Sequence, residues 1–576
     1  MKCKWFLKAI SYLLTFTLLL SVMQLDVLAM DYDPSQPSVT DPLDYPLPDP
    51  EKESEYQIIG EQEEKRDGTT KYFLTEHGNG IAAVYNEPVH YQTKDGSWEE
   101  IDNSLAEATD SQIGEVFENA ANDVTVKFTK KRDHKRLVTL DDGDYQLSWG
   151  FENAQKSGGN KDILVTEPVT ALSDKSEEIP VTQEEIHAYN QKKMGVSKNQ
   201  SEALYEDVYP NIDVQYIVTG KTVKENIILN DKSAAGQAIS FHIRHNRMHI
   251  RAEEDGSLSL VENAAPQDVI YTLAAPYMVD ANGEISRDVR FEVEPGKNIH
   301  ESVVRVIADQ EWLNASERAY PVVIDPIAET SKDSRNIYES YIYLANPNDN
   351  SGYLSDNVFV GCDSAKGETQ TYLKFADLPN LDQGALITKA ELNIYQYNYD
   401  CPDGQPMNIM AHENMGDWGD GLTWNYCPDR SDWILDYETV SNSTNGYPLS
   451  FDITKAVRKW YNGQNYGIML RREDELNGRL ACVELIGSDF DLSGGISEMV
   501  LPSGIFWYKN TWGMEDYWNY HSQMANRSGS GHINIFNGNL VYTIGDTATS
   551  GSRLPVGVNH VYNANDRGTE DRKSVV

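Results

Sequence analysis

The stretch Ile387-Thr-Lys-Ala-Glu-Leu-Asn-Ile-Tyr-Gln-Tyr-Asn-Tyr399 alternates between the two kinds of side chain a half-buried strand needs. Successive side chains of a strand point to opposite faces, so Ala390, Leu392 and Ile394 share one face while Asn393, Tyr395, Tyr397 and Tyr399 share the other. The first face is core. The second is a row of tyrosines. Sugar rings stack on aromatic faces while phenol hydroxyls make hydrogen bonds. Tyr395, Tyr397 and Tyr399 are therefore the candidate carbohydrate contacts, with Trp418 beside a Gly- and Asp-rich loop. The alternative is that these rings pack under loops or at a domain interface.

Working outward, the strand is preceded by Tyr372-Leu-Lys-Phe375 and Leu378-Pro379. It is followed by Trp418, Leu422-Thr-Trp-Asn425, Pro428, Phe451-Asp-Ile-Thr454 and Asn465-Tyr-Gly-Ile-Met-Leu470. Ile453, Val457, Trp460 and Tyr461 are spaced for one face of a short helix, which Asp452 is placed to cap. One helix on a strand-rich background fits a β-sandwich with a helical connection. The order of these motifs across 334–508 resembles the DNRLRE domain, a β-sandwich family similar to carbohydrate-binding modules of family 96. The resemblance implies a polysaccharide of the cell envelope or extracellular matrix as partner. It also implies that Trp424, in its Thr-Trp-Asn motif, holds the fold and not the ligand.

Residues 56–330 read as further β-rich structure. Ile212, Val214, Tyr216 and Val218 alternate, Thr219-Gly220-Lys221 turns the chain, and Val223 to Leu229 returns. Phe241 and Ile243 are expected to pair with Met248 and Ile250 across a turn at His245-Asn246. The opposite face of that hairpin carries His242, Arg244, Arg247, His249 and Arg251, a basic stripe that either contacts an anion or is paired with nearby carboxylates. Thr182 and Glu185 form a capping-box pattern before Ile186 and Tyr189. Ala83-Val-Tyr-Asn-Glu-Pro-Val89 and Tyr209-Pro-Asn-Ile-Asp-Val-Gln-Tyr216 resemble the region that precedes such sandwiches in large surface proteins of Gram-positive bacteria. The fold class expected is all-β: multi-domain β-sandwiches with a few short helices.

The ends of the chain are read differently. Lys2, Lys4 and Lys8, the apolar run Ile10 to Leu20 and the small-residue site Val27-Leu28-Ala29 make residues 1–29 a secretory leader cleaved after Ala29. The run is shorter than the roughly 20 residues a spanning helix needs, so no membrane span is expected after cleavage. Residues 30–55 are a Pro-rich acidic linker. Residues 509–570, with Gly529-Ser-Gly-His-Ile-Asn534 and Val558-Asn-His-Val-Tyr562, resemble the entry to the RHS/YD-repeat shell of wall-associated and polymorphic-toxin proteins. The final Asp571-Arg-Lys-Ser-Val-Val576 matches the translation of a common adapter oligonucleotide, so 571–576 is expected to be foreign to the natural reading frame.

The formal charge is −41, a surface that repels nucleic acid and attracts cations. Asn346, Asn348, Asp349, Asn350, Asp356 and Asn357 cluster, and Asp349 and Asp356 are candidate ligands for a structural calcium, against the simpler reading of a plain turn. No other cofactor is expected. Apart from Cys3 in the leader, the cysteines are Cys362, Cys401, Cys427 and Cys482. In an exported chain they permit disulfides, with three pairings open, or stand as free buried thiols. His90, His412, His521 and His532 lack metal spacing and read as hydrogen-bonded structural histidines. There is no HExxH, GxSxG elbow, Walker A loop or GxGxxG before a helix. The chain is thus read as secreted, wall-associated and non-catalytic. A polysaccharide-active enzyme targeted by the sandwich, and a purely structural spacer, are the rival readings.

Overall fold

In the computed structural model, Ile212–Thr219 and Thr222–Leu229 pair as the alternation predicts, Thr219 opposite Thr222. Gly220 turns the chain with φ +56°, and a Cβ there would press on Pro88. The structure describes residues 56–158, 162–166, 182–330 and 335–510, except 77, 197, 326, 356, 382–384, 476, 489 and 491–499. It also describes the segments 520–524, 529–534, 540–549, 556–563 and 574–575. The expected leader with its expected cleavage at Ala29, the expected linker and most of the C-terminal tail fall outside these residues. Among the described residues no helix is long and apolar enough to cross a membrane.

The hairpin 212–229 lies in an 11-stranded sheet that faces an 8-stranded one. Their apolar faces meet in one core, where Phe128 and Trp149 of the smaller sheet pack on Tyr216 of the larger at 5.4 and 6.3 Å between ring centres. The expected hairpin 239–252 does not form. Ile239–His245 pairs with Gln146–Phe151 and Glu301–Ala308, whereas Met248–Ala252 pairs with Leu258–Glu262 in the opposite sheet. The chain crosses between layers at His245–Met248, with Arg247 at φ +50°. Phe241, Ile243 and Met248 still reach one core, which is why their periodicity looked like a pair. The basic stripe is divided by the same crossing and neutralised: Arg244 meets Glu301 at 3.0 Å and Arg247 meets Glu262 at 3.1 Å.

A second sandwich comes next. Its layers are joined through the 16-residue strand Ala385–Asp400, whose first part pairs with Ser503–Asn510 and Pro448–Asp452 and whose last part pairs with Ala481–Ile486. The helix Thr454–Trp460 buries Ala456, Val457 and Trp460; its N-cap is Ile453, which offers no side-chain cap, and Asp452, one residue earlier, does not cap the helix but closes a turn by accepting from the Thr454 amide at 2.8 Å. The strands Ile58–Glu61, Thr70–Thr75 and Gly80–Val84 join this distant sandwich and not the segment after them. Gly80–Val84 pairs with the Ser503–Asn510 strand, placing Gly80 opposite Tyr508. The Tyr508 ring lies over Gly80 where a Cβ would stand. The helix Gln183–Met194 carries the predicted Thr182–Glu185 capping box, and its Asn190 side chain bonds the Ile58 amide and the Tyr56 carbonyl.

Glu225 is enclosed in the first core, beside an apolar hollow lined by Leu147, Trp149, Phe241 and Ile243. Trp149 donates its indole N–H to it at 2.8 Å. Burial outweighs that bond and pushes the Glu225 carboxyl up to about 7. Two outcomes are expected. Gly80→Ala forces the Tyr508 ring out of place and lowers stability by about 1–3 kcal/mol in thermal or denaturant unfolding. For Glu225 the folded pKa lies above the unfolded one. The unfolded chain therefore ionises first as pH rises, and native stability falls between the two values. Glu225→Gln removes that dependence, so its stability relative to the parent improves by on the order of 3 kcal/mol from pH 4.5 to 7.5. A difference that stays flat across this range refutes the enclosure of Glu225.

Candidate functional site

Along Ala385–Asp400 a first register shift lies between Ile387 and Lys389, and from Lys389 to Tyr395 alternation holds: Ala390, Leu392 and Ile394 are buried, and Asn393 and Tyr395 are partly buried on the other face. Then the register slips again. Gln396 opposes Leu485, but Asn398 opposes Glu484, so one residue is extra on the long strand. Such a bulge bends a strand and re-aims the side chains beyond it. Gln396 is buried, donating to the Ser441 carbonyl at 2.8 Å and accepting from the Thr444 hydroxyl at 2.6 Å. The tyrosine row is broken as a result. Tyr399 is turned into the core, 4% exposed, and its hydroxyl donates to the Gln405 carbonyl at 2.7 Å. Tyr395 rests against Ile486 and Leu501. Tyr397 alone of the three stays open, 51% exposed, its ring 5.5 Å from Phe490.

Trp418 is also committed. Its indole N–H donates to the Tyr466 carbonyl at 2.9 Å, its ring lies 5.9 Å from Tyr372, and the Lys374 ammonium sits 5.3 Å from its centre. Trp424 packs on the same small apolar cluster of Ile342, Tyr372, Leu422 and Met469, in keeping with a fold-holding role.

The loop that Trp418 and Trp424 pin lies against the outer face of the second layer, where residues that the sequence did not single out, apart from His412, come together. Tyr437, 58% exposed on the edge strand Asp436–Val440, opposes Met410, which opposes Arg471 on the next strand. Glu475 accepts from Gln370 at 2.6 Å and lies 3.5 Å from Arg471 and 3.9 Å from Arg430. Arg471 donates to His412 Nε2 at 3.1 Å, and His412 Nδ1–H donates to the Ser431 carbonyl at 3.0 Å. Burial, and then Arg471, lower the His412 imidazole, so its ring accepts as a neutral base. Tyr426 and Trp433 stand exposed along the same loop, with Lys459 4.6 Å from the Trp433 ring centre. Arg471 also donates to the Arg472 and Glu473 carbonyls and is 13% exposed, so the part of this face suited to a sugar's apolar side is the open ring of Tyr437, which flanks Met410 on the edge strand. The period-2 pattern of Asp436–Val440 was the available signal, but five residues between loops are too few to stand out.

Asp349, a candidate calcium ligand, spends both oxygens closing a turn, accepting from the Ser351 amide and the Tyr343 hydroxyl, each at 2.7 Å. Asp356 lies outside the described residues. The structure pairs none of the four cysteines with another: Cys401 and Cys482 are buried, Cys362 is half-buried and Cys427 is exposed. Cys362 opposes Ala481 and Cys482 opposes Gly361, so on these adjacent strands the two sulfurs leave the sheet on opposite faces. Burial pushes the Cys482 thiol up to about 12. Cys401 Sγ lies 3.2 Å from Arg479, and Cys427 is exposed. His532 sits between Ser522 and Ser530 hydroxyls at 2.7 and 2.9 Å, and His521 lies on the neighbouring strand Tyr520–Met524. His90 donates from Nδ1 to the Asp67 carbonyl at 2.7 Å, and burial lowers its imidazole to about 4.

The sandwich meets a known class at this point: residues 331–482 match the model of carbohydrate-binding module family 96. Along a greater length the chain is similar to the tRNA3(Ser)-specific nuclease WapA of Bacillus spizizenii, 24% identical over 523 residues, covering 84% of this chain and 20% of that protein. It is similar to the tRNA nuclease WapA of Bacillus subtilis strain 168, 25% identical over 454 residues, covering 74% of this chain and 17% of that protein. It is also similar to a wall-associated protein of Geobacillus stearothermophilus, 23% identical over 238 residues, 40% of this chain and 80% of that protein. The chain spans a fifth or less of the length of the first two relatives.

The bulge separates two neighbouring tyrosines in their expected behaviour. Tyr399→Ala opens a cavity in the sandwich core and lowers stability by about 3–5 kcal/mol. Tyr397→Ala changes it by less than about 1 kcal/mol. Equal losses in a chemical denaturation series overturn the parity change.

Proposed function

We propose that this chain is the exported, wall-facing N-terminal portion of a larger wall-associated or toxin-delivery protein, and that the sandwich of residues 334–508 holds polysaccharide of the cell envelope or extracellular matrix. The match of residues 331–482 to carbohydrate-binding module family 96 carries this reading. Three observations support it. The Geobacillus relative bears the name wall-associated protein. The leader pattern of residues 1–29 suits export. The open ring of Tyr437 on the outer face suits a sugar's apolar side.

The WapA relatives are named for a nuclease activity, and the chain covers only a small share of them. A formal charge of −41 suits a carrier segment better than one that grips tRNA, because nucleic-acid binding relies on Lys and Arg to neutralise phosphates. In this proposal the segment breaks no bond. RHS-type repeats and any effector belong to the rest of such a protein. Binding is individually weak, as for most single sugar platforms, and gains strength from several copies on one surface.

The test is affinity electrophoresis of the purified chain through gels carrying cell-wall preparations and soluble polysaccharides, with a parallel assay for new reducing ends. Retention without new ends is expected, weakened about 2- to 10-fold by Tyr437→Ala and less by Tyr397→Ala. New reducing ends that track the protein would instead mark a polysaccharide-active enzyme. No retention on any material, with Tyr437→Ala indistinguishable from the parent, would leave only a spacer.

A further inference from the structure

His90 opens the short strand His90–Gln92, which pairs with Trp98–Glu100 so that His90 stands opposite Glu100. The ring has no exposed surface. Its Nδ1–H is spent on the Asp67 carbonyl, and that bond fixes the tautomer: Nε2 carries a lone pair. Nε2 has no hydrogen-bond partner, although it is fully buried. Facing it at 3.8 Å is an oxygen of Glu61, at the end of the strand Ile58–Glu61. The Glu100 carboxylate completes the group, and one ligand atom from each of the three lies within 4.8 Å of the others. A buried imidazole lone pair aimed at a carboxylate places acceptor against acceptor, an arrangement that costs energy unless a positive centre lies between them.

We propose that Glu61, His90 and Glu100 form a binding site for a zinc-type divalent cation, which clips the hairpin 90–100 to the strand Ile58–Glu61. One imidazole nitrogen and two carboxylates is a donor set of this kind; calcium takes oxygen ligands alone. A tetrahedral ion with bonds of about 2.0–2.1 Å sets its ligands about 3.3 Å apart, so the 3.8 Å separation needs only a small contraction. The Glu100 side chain is half exposed. A ring nitrogen held by a backbone carbonyl is also the usual outer support of a ligating histidine.

Two cations already share the cluster. Arg66 bonds Glu61 and Lys71 bonds Glu100, each at 2.6 Å. Arg66 holds the same Glu61 oxygen that faces His90, so an incoming ion must share or displace that bond, and the two positive charges oppose it. Affinity in the micromolar range is therefore expected, well short of a structural zinc finger.

The experiment uses the full chain after treatment with a chelator. Zinc is titrated by calorimetry, and thermal unfolding is followed with and without it. One ion per chain and a raised melting temperature are expected. Glu100→Gln and His90→Gln should each weaken binding at least about tenfold and remove the thermal shift. Because His90 is buried, its replacement endangers the fold; Glu100→Gln, altering a half-exposed side chain, keeps the test decisive. Absence of zinc uptake by the parent overturns the proposal. So does uptake that Glu100→Gln leaves unchanged, which would place the ion elsewhere, for instance at the exposed Cys427.

Discussion

A strand that serves two sheets must turn between them, and in this chain the turn is made by one extra residue at Gln396–Asn398. Before it, Ala385–Asp400 is a central strand of one layer; after it, the same strand pairs into the other. The polar cost of inserting Gln396 at the bend is met by hydrogen bonds to the loop 441–445. Most of the second sandwich depends on this crossing. Ile387, Leu392 and Ile394 on one side of the bend and Tyr399 on the other all reach the same core, together with Tyr72, Val84, Phe506 and Tyr508.

The polar groups inside the molecule do comparable work. Arg472 and Glu368 are 2% exposed and meet through two parallel contacts, and Arg472 also bonds the Arg479 carbonyl at 2.7 Å. Such a pair adds little net stability over apolar side chains, but losing one partner strands a charge, so it fixes the register of two strands. Asn86 acts likewise between distant segments, donating to the Ser488 carbonyl at 3.1 Å while its side-chain oxygen accepts from the Ile337 amide at 3.2 Å. Asn103 reaches the Asn199 and Gly220 carbonyls at 2.7 and 2.9 Å. Side-chain amides suit this role because each can satisfy a donor and an acceptor at once.

Aromatic side chains are divided between two tasks by what their polar atoms do. Trp418 and Tyr399 bond nearby carbonyls and are spent on structure. Tyr437 and Tyr426 keep open faces, and Tyr437 stands on the sheet that also carries the network of Arg471, Glu475 and Gln370. The candidate site therefore sits on the outer face of the second layer, under the loop that Trp418 holds. A rigid sheet positions the donors, while the loop supplies the rings.

Several features were legible in the residues alone. Alternation at 212–218 and 390–395, the capping box at Thr182 and Glu185, and the apolar face of the helix Thr454–Trp460 are local patterns whose cause and effect lie within a few residues of each other. They settled the all-β class, and motif order pointed to the sandwich that the family 96 match then supported. Three other features depend on partners far away in the chain. The strand Gly80–Val84 pairs with Ser503–Asn510, more than four hundred residues later. Ile239–His245 and Met248–Ala252 look like a hairpin yet enter different sheets. Tyr399 changes face because a bulge adds one residue, and with a period of two a single insertion inverts every side chain beyond it. Sequence determined which residues prefer a sheet and which face of each strand is apolar. Only the tertiary structure decided which strands meet, because backbone hydrogen bonds between strands carry no side-chain signature, and so it also decided which tyrosines remain open to a ligand.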